Sequence, residues 1–165
     1  MRYKILALAT SAALLAAGAA HALTVQTNFN VTAVVAKNCL VTATNLDFGT
    51  YTGAAEANVN SAVSVRCTLG TPFTVRLSTG GGNYVTRLMA SGPNSLQYNL
   101  FTDVARTIVF GDTTGGTGQV ADTGDGLAAA AAISVPVYGR LFDNDANKNA
   151  PVGNYSDTIQ VTVEY

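Results

Sequence analysis

The residues of this chain best suited to chemistry are two cysteines, Cys39 and Cys67, and a set of scattered carboxylates. The single histidine, His21, falls within an N-terminal leader, so the exported protein is expected to contain none. Serine and cysteine nucleophiles that depend on a histidine base are therefore excluded, as are histidine-ligated metals. No G-x-S-x-G, phosphate-binding loop or dinucleotide motif occurs, and no tryptophan is present to line a sugar-binding cleft. These features predict a protein that is not an enzyme.

The two cysteines, Cys39 and Cys67, are predicted to form a disulfide. An even number of cysteines in a chain bound for an oxidising compartment favours this pairing. The rival use, a structural zinc site, needs further ligands that a cysteine pair alone does not supply.

One acidic stretch has part of the spacing of a calcium-binding loop. Asp143, Asp145 and Asn147 match the first, third and fifth positions of such a loop. The sixth position is Lys148 where glycine is needed, and the twelfth is Asn154 where a bidentate glutamate is needed. Sequences rich in Asp and Asn also form turns between strands. We therefore predict a turn here, and neither a metal nor a cofactor for the protein.

The leader, residues 1–22, has the layout of a secretory signal peptide. A basic start precedes an apolar run over residues 5–20, and Ala20-His21-Ala22 supplies a small-residue cleavage site. A transmembrane anchor would need about 20 predominantly apolar residues, and no stop-transfer charges follow this run. We expect cleavage after Ala22 and export of the rest of the chain.

The exported chain carries few charges. Of nine Lys and Arg residues, two lie in the leader, which leaves seven against ten Asp and Glu and a net charge of −3. The charged fraction of the whole chain is 12 %, about half the typical globular value of roughly 25 %. Such a chain has no electrostatic footprint for nucleic acid or anionic lipid. We expect no nucleic-acid partner, and a surface that is partly covered by other protein.

Residues 23–35 alternate apolar and polar side chains with a period of two. The more apolar face includes Val25, Thr27, Phe29, Val31 and Ala33. Strict alternation without proline, glycine or charge predicts a strand with one buried face. At the start of the exported chain, this strand would either dock on its own domain or be given to a neighbour.

Short apolar segments between Gly, Pro and Asn turns predict an antiparallel β-sandwich. The predicted strands span residues 38–43, 46–51, 62–67, 73–77, 96–100, 133–137 and 158–165, and the second of them is expected to kink at Gly49. Pro136 is expected to place its strand at a sheet edge or to mark a bulge. Residues 111–126, rich in Gly and Thr, are predicted to form a long surface loop. Arg66, Arg76 and Arg87 are interpreted as solvent-facing charges.

The last predicted strand alternates to the final residue, with Ile159, Val161, Val163 and Tyr165 on one face. Neither a turn nor a returning strand follows it. A sandwich without its final strand would expose an unpaired edge and an uncovered apolar core. The resulting groove would accept an alternating segment such as residues 23–35 by β-strand addition.

Motifs along most of the exported chain resemble those of the spore coat protein U domain family, which includes the subunits of archaic chaperone–usher pili. In order, these motifs are Cys39 behind the alternating segment, Leu46-Asp47-Phe48-Gly49-x-Tyr51, Val65-x-Cys67-x-x-Gly70, Arg87-x-Met89, Leu96-x-Tyr98-x-Leu100-Phe101-x-Asp103, Val137-Tyr138-Gly139-Arg140 and Gly153-x-Tyr155-x-Asp157-Thr158-Ile159-x-Val161-Thr162-Val163. The chain departs from the family at Phe110, which precedes Gly111 where a tryptophan is common.

The resemblance implies an all-β fold, an incomplete immunoglobulin-like antiparallel β-sandwich that lacks its final strand. The sandwich would occupy residues 36–165 and the N-terminal donor strand residues 23–35. In the family, a periplasmic chaperone lends the missing strand, and an outer-membrane usher exchanges it for the donor strand of the next subunit. The resemblance assigns the donor role to Val25, Thr27, Phe29, Val31 and Ala33, and the acceptor role to Ile159, Val161, Val163 and Tyr165.

Three hypotheses follow for function. The first is a structural subunit of a secreted pilus or fimbria, exported through the periplasm and polymerising with identical or related pilin subunits by donor-strand complementation. A single domain favours a shaft subunit over a tip subunit with its own binding domain. The second is a self-complemented secreted cell-surface or spore-coat protein, whose N-terminal strand pairs with its own sheet. The third, a carbohydrate-binding or enzymatic secreted domain, lacks catalytic groups.

Overall fold

The computed structural model describes residues 22–165, and the chain divides after Val34 into two units. In the first unit, residues 22–34 have no assigned helix or strand. The alternation predicted a strand here, and none is assigned because a strand obtains its hydrogen bonds only from a partner strand. The predicted leader lies, except for Ala22, outside the described residues.

The second unit, residues 35–165, is a β-sandwich of two antiparallel sheets. Its strands are β1 (Cys39–Ala43), β2 (Ala57–Cys67), β3 (Pro72–Leu77), β4 (Arg87–Ser91), β5 (Asn94–Phe101), β6 (Val120–Thr123), β7 (Ile133–Leu141) and β8 (Val161–Glu164). A five-stranded sheet has the order β1-β2-β7-β5-β4, and a three-stranded sheet has the order β6-β3-β8. Short helical turns span Thr114–Gly116, Ala129–Ala131 and Asp145–Lys148, the last labelled α1. The predicted all-β sandwich is confirmed.

The inward residues of the central strands form the core between the sheets. In β2, Val63 and Val65 are 2 % and 0 % exposed, and Val63 lies opposite Val135 of β7. From the smaller sheet, Val75 and Leu77 of β3 supply the facing layer and are also buried. The period-two alternation of apolar residues therefore builds both halves of the core.

The strand predicted over residues 46–51 is not formed, and the predicted kink at Gly49 is a turn. Asp47 Oδ1 accepts a hydrogen bond from the Gly49 amide at 2.8 Å, and Gly49 has a φ of +68°. Glycine reaches this left-handed conformation without steric cost, whereas a strand cannot continue through it. The segment instead packs over Gly139, where an added Cβ would lie 2.8 Å from Leu46 Cδ1.

The prediction that Pro136 lies on an edge strand is wrong, since β7 lies between β2 and β5. The ladder with β5 involves only Tyr138 to Leu141 of β7. Pro136 lies in the other half of the strand, opposite Ala62 of β2. A proline is tolerated there because one side of this half has no ladder to interrupt.

The predicted loop over residues 111–126 contains a strand. In the β3–β6 ladder, Val75 lies opposite Val120 and Pro72 lies opposite Thr123. The Gly and Thr content favoured a loop, whereas β6 forms because β3 offers it a free edge and Val120 packs against the core.

Arg87 is buried and does not face solvent, contrary to the prediction. It lies opposite Tyr98 in the β4–β5 ladder and is 0 % exposed. Its guanidinium donates hydrogen bonds to the carbonyls of Ser78 and Phe110, at 2.8 and 2.6 Å, and to Asn99 Oδ1. Burial lowers the pKa of Arg87. No strand was predicted for residues 87–91, because an arginine at an inward position interrupts the apolar face of β4.

Candidate functional site

Two strands that flank the core each have one unpaired edge. Within residues 35–165, β8 pairs with β3, where Val161 lies opposite Leu77 and Val163 opposite Val75, and with no second strand. In the same unit, β1 pairs only with β2. β1 and β8 belong to different sheets, and the sandwich is open where Ala43 of β1 and Val161 of β8 line a cleft. Unpaired edges of this kind are templates for an added strand.

The side chains along this opening face the core but remain accessible. Val41 of β1 lies opposite Val65, which is 0 % exposed, yet Val41 itself is 43 % exposed. In β8, Val161 and Val163 pack against the core and are only half-buried. Apolar residues on a core face are normally covered. The core is therefore incomplete on this side.

A cleft of about 1100 Å³ lies along the opening. Its floor is made of core residues from both sheets: Leu77, Leu96, Tyr98, Leu100, Val137 and Leu141. Residues 43–51 form one wall and residues 150–161 form much of the other. The sequence patterns indicated an opening beside the last strand, but they did not reveal these two walls, which have no regular strand pattern.

The wall over residues 43–51 is held by aromatic contacts. The ring of Phe48 meets that of Tyr98 edge-on, with centroids 5.9 Å apart. The Tyr51 hydroxyl donates a hydrogen bond to Asp143 Oδ1 at 3.2 Å. Burial and the neighbouring Asp143 carboxylate raise the pKa of Tyr51. At neutral pH, Tyr51 is therefore a neutral donor that fixes the end of this wall.

The facing wall is fixed by backbone and carboxylate hydrogen bonds. Ser156 and Ala90 of β4 exchange backbone hydrogen bonds at 2.8 and 3.1 Å. Asp157 accepts hydrogen bonds from the Tyr98 hydroxyl at 2.6 Å and from the Gly81 amide at 2.9 Å. Burial and this hydrogen bond raise the pKa of Tyr98 far above its ordinary value. Asp157 thus ties this wall to Tyr98 in the floor of the cleft.

The four predicted acceptor residues lie along β8 and its flanks, at different depths. Ile159 and Val161 line the cleft. Val163 is half-buried beyond the end of the cleft, and Tyr165 is 55 % exposed. The open edge therefore extends past the deep part of the groove.

The five predicted donor residues belong to the first unit. Val25, Phe29 and Val31 are 98 %, 85 % and 83 % exposed, and Thr27 and Ala33 are also exposed. Several large apolar side chains exposed close together are uncommon on the surface of a soluble monomer and are typical of an interaction site.

The predicted disulfide is confirmed. Cys39 and Cys67 are bonded, and they lie directly opposite each other in the β1–β2 ladder with Cα atoms 4.1 Å apart. Cys67 is completely buried. The bond fixes the start of β1, which borders the opening, to the core strand β2.

The acidic stretch with partial calcium-loop spacing folds as the one-turn helix α1. The Asn144 side chain caps it by accepting a hydrogen bond from the Asn147 amide at 2.9 Å. Asn147 is 2 % exposed and donates to the carbonyls of Gln97 and Phe142, each at 2.8 Å. Lys148 Nζ lies 3.3 Å from Asp143 Oδ2. These side chains are engaged in holding the turn against β5.

Among residues 22–165, no three His, Cys, Asp or Glu side chains converge where they could hold a metal ion. Nor does this part of the chain contain a helix long and apolar enough to cross a membrane. The distinctive feature of the described residues is the open groove.

Comparisons with known proteins find a family and a curated relative that match nearly the whole exported chain. The family model described as Spore Coat Protein U domain matches residues 25–162. A curated relative named Protein U, from Myxococcus xanthus, is 32 % identical, and the match covers 98 % of this chain and 96 % of the relative.

A solved structure has a similar fold. It is the CsuC–CsuE chaperone–tip adhesion subunit pre-assembly complex from the archaic chaperone–usher Csu pili of Acinetobacter baumannii. The match has a TM-score of 0.56 and 25 % sequence identity, and it covers 79 % of this chain. This chain spans 40 % of the length of the matched chain.

Proposed function

Because the chain belongs to the Spore Coat Protein U domain family, we propose that it is a structural subunit of a secreted chaperone–usher pilus that polymerises by donor-strand complementation. The family and the pilin-like fold are structural and not enzymatic. In this proposal, residues 1–22 are removed as a signal peptide, residues 23–35 are the donor strand and residues 36–165 form the sandwich that accepts one.

The observation that supports this function best is the open edge of β8 beside an incompletely covered core. A strand added along the free edge of β8 would hydrogen-bond to that edge and cover Ile159, Val161 and the floor of the cleft. Apolar burial contributes about 25 cal/mol per Å² of area removed from water. Covering these apolar side chains would therefore stabilise the sandwich and complete its core.

The proposed occupant is residues 25–33 of another copy. The family model matches residues 25–162, a range that includes this segment together with most of the sandwich. Its alternating face, from Val25 to Ala33, offers side chains at every second residue, as a strand facing a core must.

Other partners follow from the same logic. A subunit with an open groove needs a temporary cover before assembly, and the structural neighbour is a chaperone bound to a pilus subunit. We therefore include a periplasmic chaperone and an outer-membrane usher as partners, and an extracellular fimbria at the cell surface as the final location.

The alternative is a self-complemented secreted cell-surface or spore-coat structural protein. Residues 23–35 would then fill the groove of the same copy, and the protein would be a stable monomer. Similarity to Protein U along nearly the whole chain is compatible with this alternative as well as with a pilin.

The experiment is to delete residues 23–34 and co-express this variant with the full-length chain. A donor-deficient subunit is expected to accept a strand but not to give one, so it should end growing chains and shorten them as its proportion rises. The measurement is the length distribution of secreted polymers by electron microscopy. A full-length mature protein that stays monomeric at high concentration without a chaperone would contradict the proposal and favour self-complementation.

A further inference from the structure

We propose that one end of the sandwich forms a second contact between neighbouring subunits, outside the groove. The contact surface, here called the end patch, consists of Leu69, Leu127, Ala128, Ala129 and Ala130. Its partner is the copy of the chain that receives residues 25–33. This inference rests on the proposed donor-strand function and adds to it a surface that the groove does not include.

The end patch is apolar and exposed. Leu69 is 76 % exposed and Leu127 is 38 % exposed, and the three alanines are also exposed. Asp125 is the only charged residue in the two loops that carry the patch, residues 67–70 and 124–132. Exposed apolar patches of this kind are typical of interaction sites. No residue of the end patch lines the cleft, so a strand that fills the cleft would not cover it.

Backbone hydrogen bonds join the two loops into one surface. The Gly70 amide donates to the Gly124 carbonyl at 2.8 Å, and the Gly126 amide donates to the Cys67 carbonyl at 2.9 Å. The loops are packed so closely that a Cβ added at Gly124 would lie 2.6 Å from the Cβ of Cys67. The patch is therefore held in place by the framework of the sandwich.

The proposed donor segment is joined to the sandwich at the same end. The Thr68 amide donates to the Asn38 carbonyl at 2.9 Å, and the Asn38 amide donates to Thr68 Oγ1 at 3.0 Å. The Thr68 hydroxyl also reaches the Ala36 carbonyl at 3.4 Å. Thr68 directly precedes Leu69 in the chain. The chain therefore leaves the sandwich beside the end patch.

The connection between the sandwich and the donor residues is short. Ala33, the last proposed donor residue, is three residues before Ala36. An extended chain spans at most about 3.6 Å per residue, so Ala33 can reach only about 11 Å from Ala36. A domain of the size of residues 35–165 has a radius of gyration of roughly 14 Å. A copy whose groove holds Ala33 is therefore too large to stay clear of this end of the sandwich, and the end patch is the apolar surface that it would meet.

Three single-cysteine variants of the full-length chain test the contact. Leu69→Cys and Ala129→Cys place one thiol on each loop of the end patch. Val85→Cys is the matched control, because Val85 is 83 % exposed and belongs to neither the patch nor the cleft. Native Cys39 and Cys67 are already bonded to each other, so each variant has one free thiol. Polymers isolated by size-exclusion chromatography are treated with a maleimide, and mass spectrometry gives the rate of alkylation.

In polymers, the thiols of Leu69→Cys and Ala129→Cys are expected to react at least about tenfold more slowly than that of Val85→Cys, because thiol reactivity requires exposure to the reagent. In concentrated urea the three rates are expected to be equal, which shows that the difference comes from assembly. If Leu69→Cys alone fails to fold, because of its closeness to the disulfide, Ala129→Cys decides the result.

The other outcomes overturn the inference in different ways. Polymers in which all three thiols react equally fast would show that this end of the sandwich is free, and strand donation would remain intact. Equally slow reaction of all three would mean that polymers pack together without a specific contact. Protection at only one of two folded patch variants would contradict the patch as defined. An unmodified chain that stays monomeric would contradict the proposed function and this inference together.

Discussion

Phe29 has the largest side chain on the proposed donor face. We predict that Phe29→Asp blocks chain growth, because a carboxylate would enter an apolar groove at a cost of several kcal/mol. Asn28→Asp introduces the same charge on the opposite, outward face and is the matched control. Polymer length on non-denaturing gels measures the difference. Equal polymer lengths for the two variants would show that Phe29 does not enter a groove.

Arg87 illustrates a second residue-scale effect, the cost of unmaking buried hydrogen bonds. Arg87→Ala would leave the Ser78 and Phe110 carbonyls without their donor. We expect a loss of about 3 kcal/mol or more in the free energy of unfolding, because each buried unsatisfied group costs about 1–3 kcal/mol. Arg76→Ala, which breaks an exposed ion pair with Glu164, should cost about 0–1 kcal/mol. Urea denaturation of the purified variants compares them, and similar losses would contradict the buried role.

Asn147 holds the α1 turn through amide hydrogen bonds to backbone groups. We therefore predict that Asn147→Ala lowers the free energy of unfolding by about 1–3 kcal/mol, whereas a chelator leaves the melting temperature unchanged. Asn149→Ala, on the exposed end of the same turn, is the control. If a chelator lowered the melting temperature strongly and calcium restored it, the acidic stretch would be shown to bind metal.

At the scale of elements, the disulfide and the position of β1 are linked. Cys39 begins β1, and its bond to Cys67 keeps β1 on β2 although the other edge of β1 is unpaired. Cys39→Ser should reduce the periplasmic yield of the subunit, since loss of a native disulfide from a small secreted domain typically costs about 2–5 kcal/mol. Quantitative immunoblotting of periplasmic extracts measures the yield. Unchanged yield and unchanged melting temperature would show that β1 is held by its ladder alone.

The elements that the sequence predicted well are those with uninterrupted alternation. β3, β5 and β7 coincide with apolar residues at every second position, and each contributes buried residues to the core. β4 and β6 were missed because an inward arginine and a Gly- and Thr-rich context conceal their patterns. Both are short and depend on a neighbouring strand for their hydrogen bonds. Local propensity is too weak to specify such strands.

At the scale of the whole molecule, an open groove makes stability depend on its occupant. We predict that a synthetic peptide of residues 23–35 raises the melting temperature of the variant that lacks residues 23–34. A ligand that binds only the folded state stabilises it by about 2.7 kcal/mol at a hundredfold excess over its Kd. The same peptide with Phe29→Asp is the control, and differential scanning fluorimetry is the measurement. Equal effects of the two peptides would exclude specific insertion.

The sequence alone determined the fold class, the disulfide and the two alternating segments that we propose to meet between subunits. These features are local, because alternation and the number of cysteines can be read directly from the sequence. Only the tertiary structure revealed the walls over residues 43–51 and 150–161, the burial of Arg87 and the partners of Asp157. Those depend on contacts between residues far apart in the chain, such as Tyr98 with Asp157. The pattern of side chains indicates which face of a strand is apolar, but tertiary packing decides which residues lie against that face.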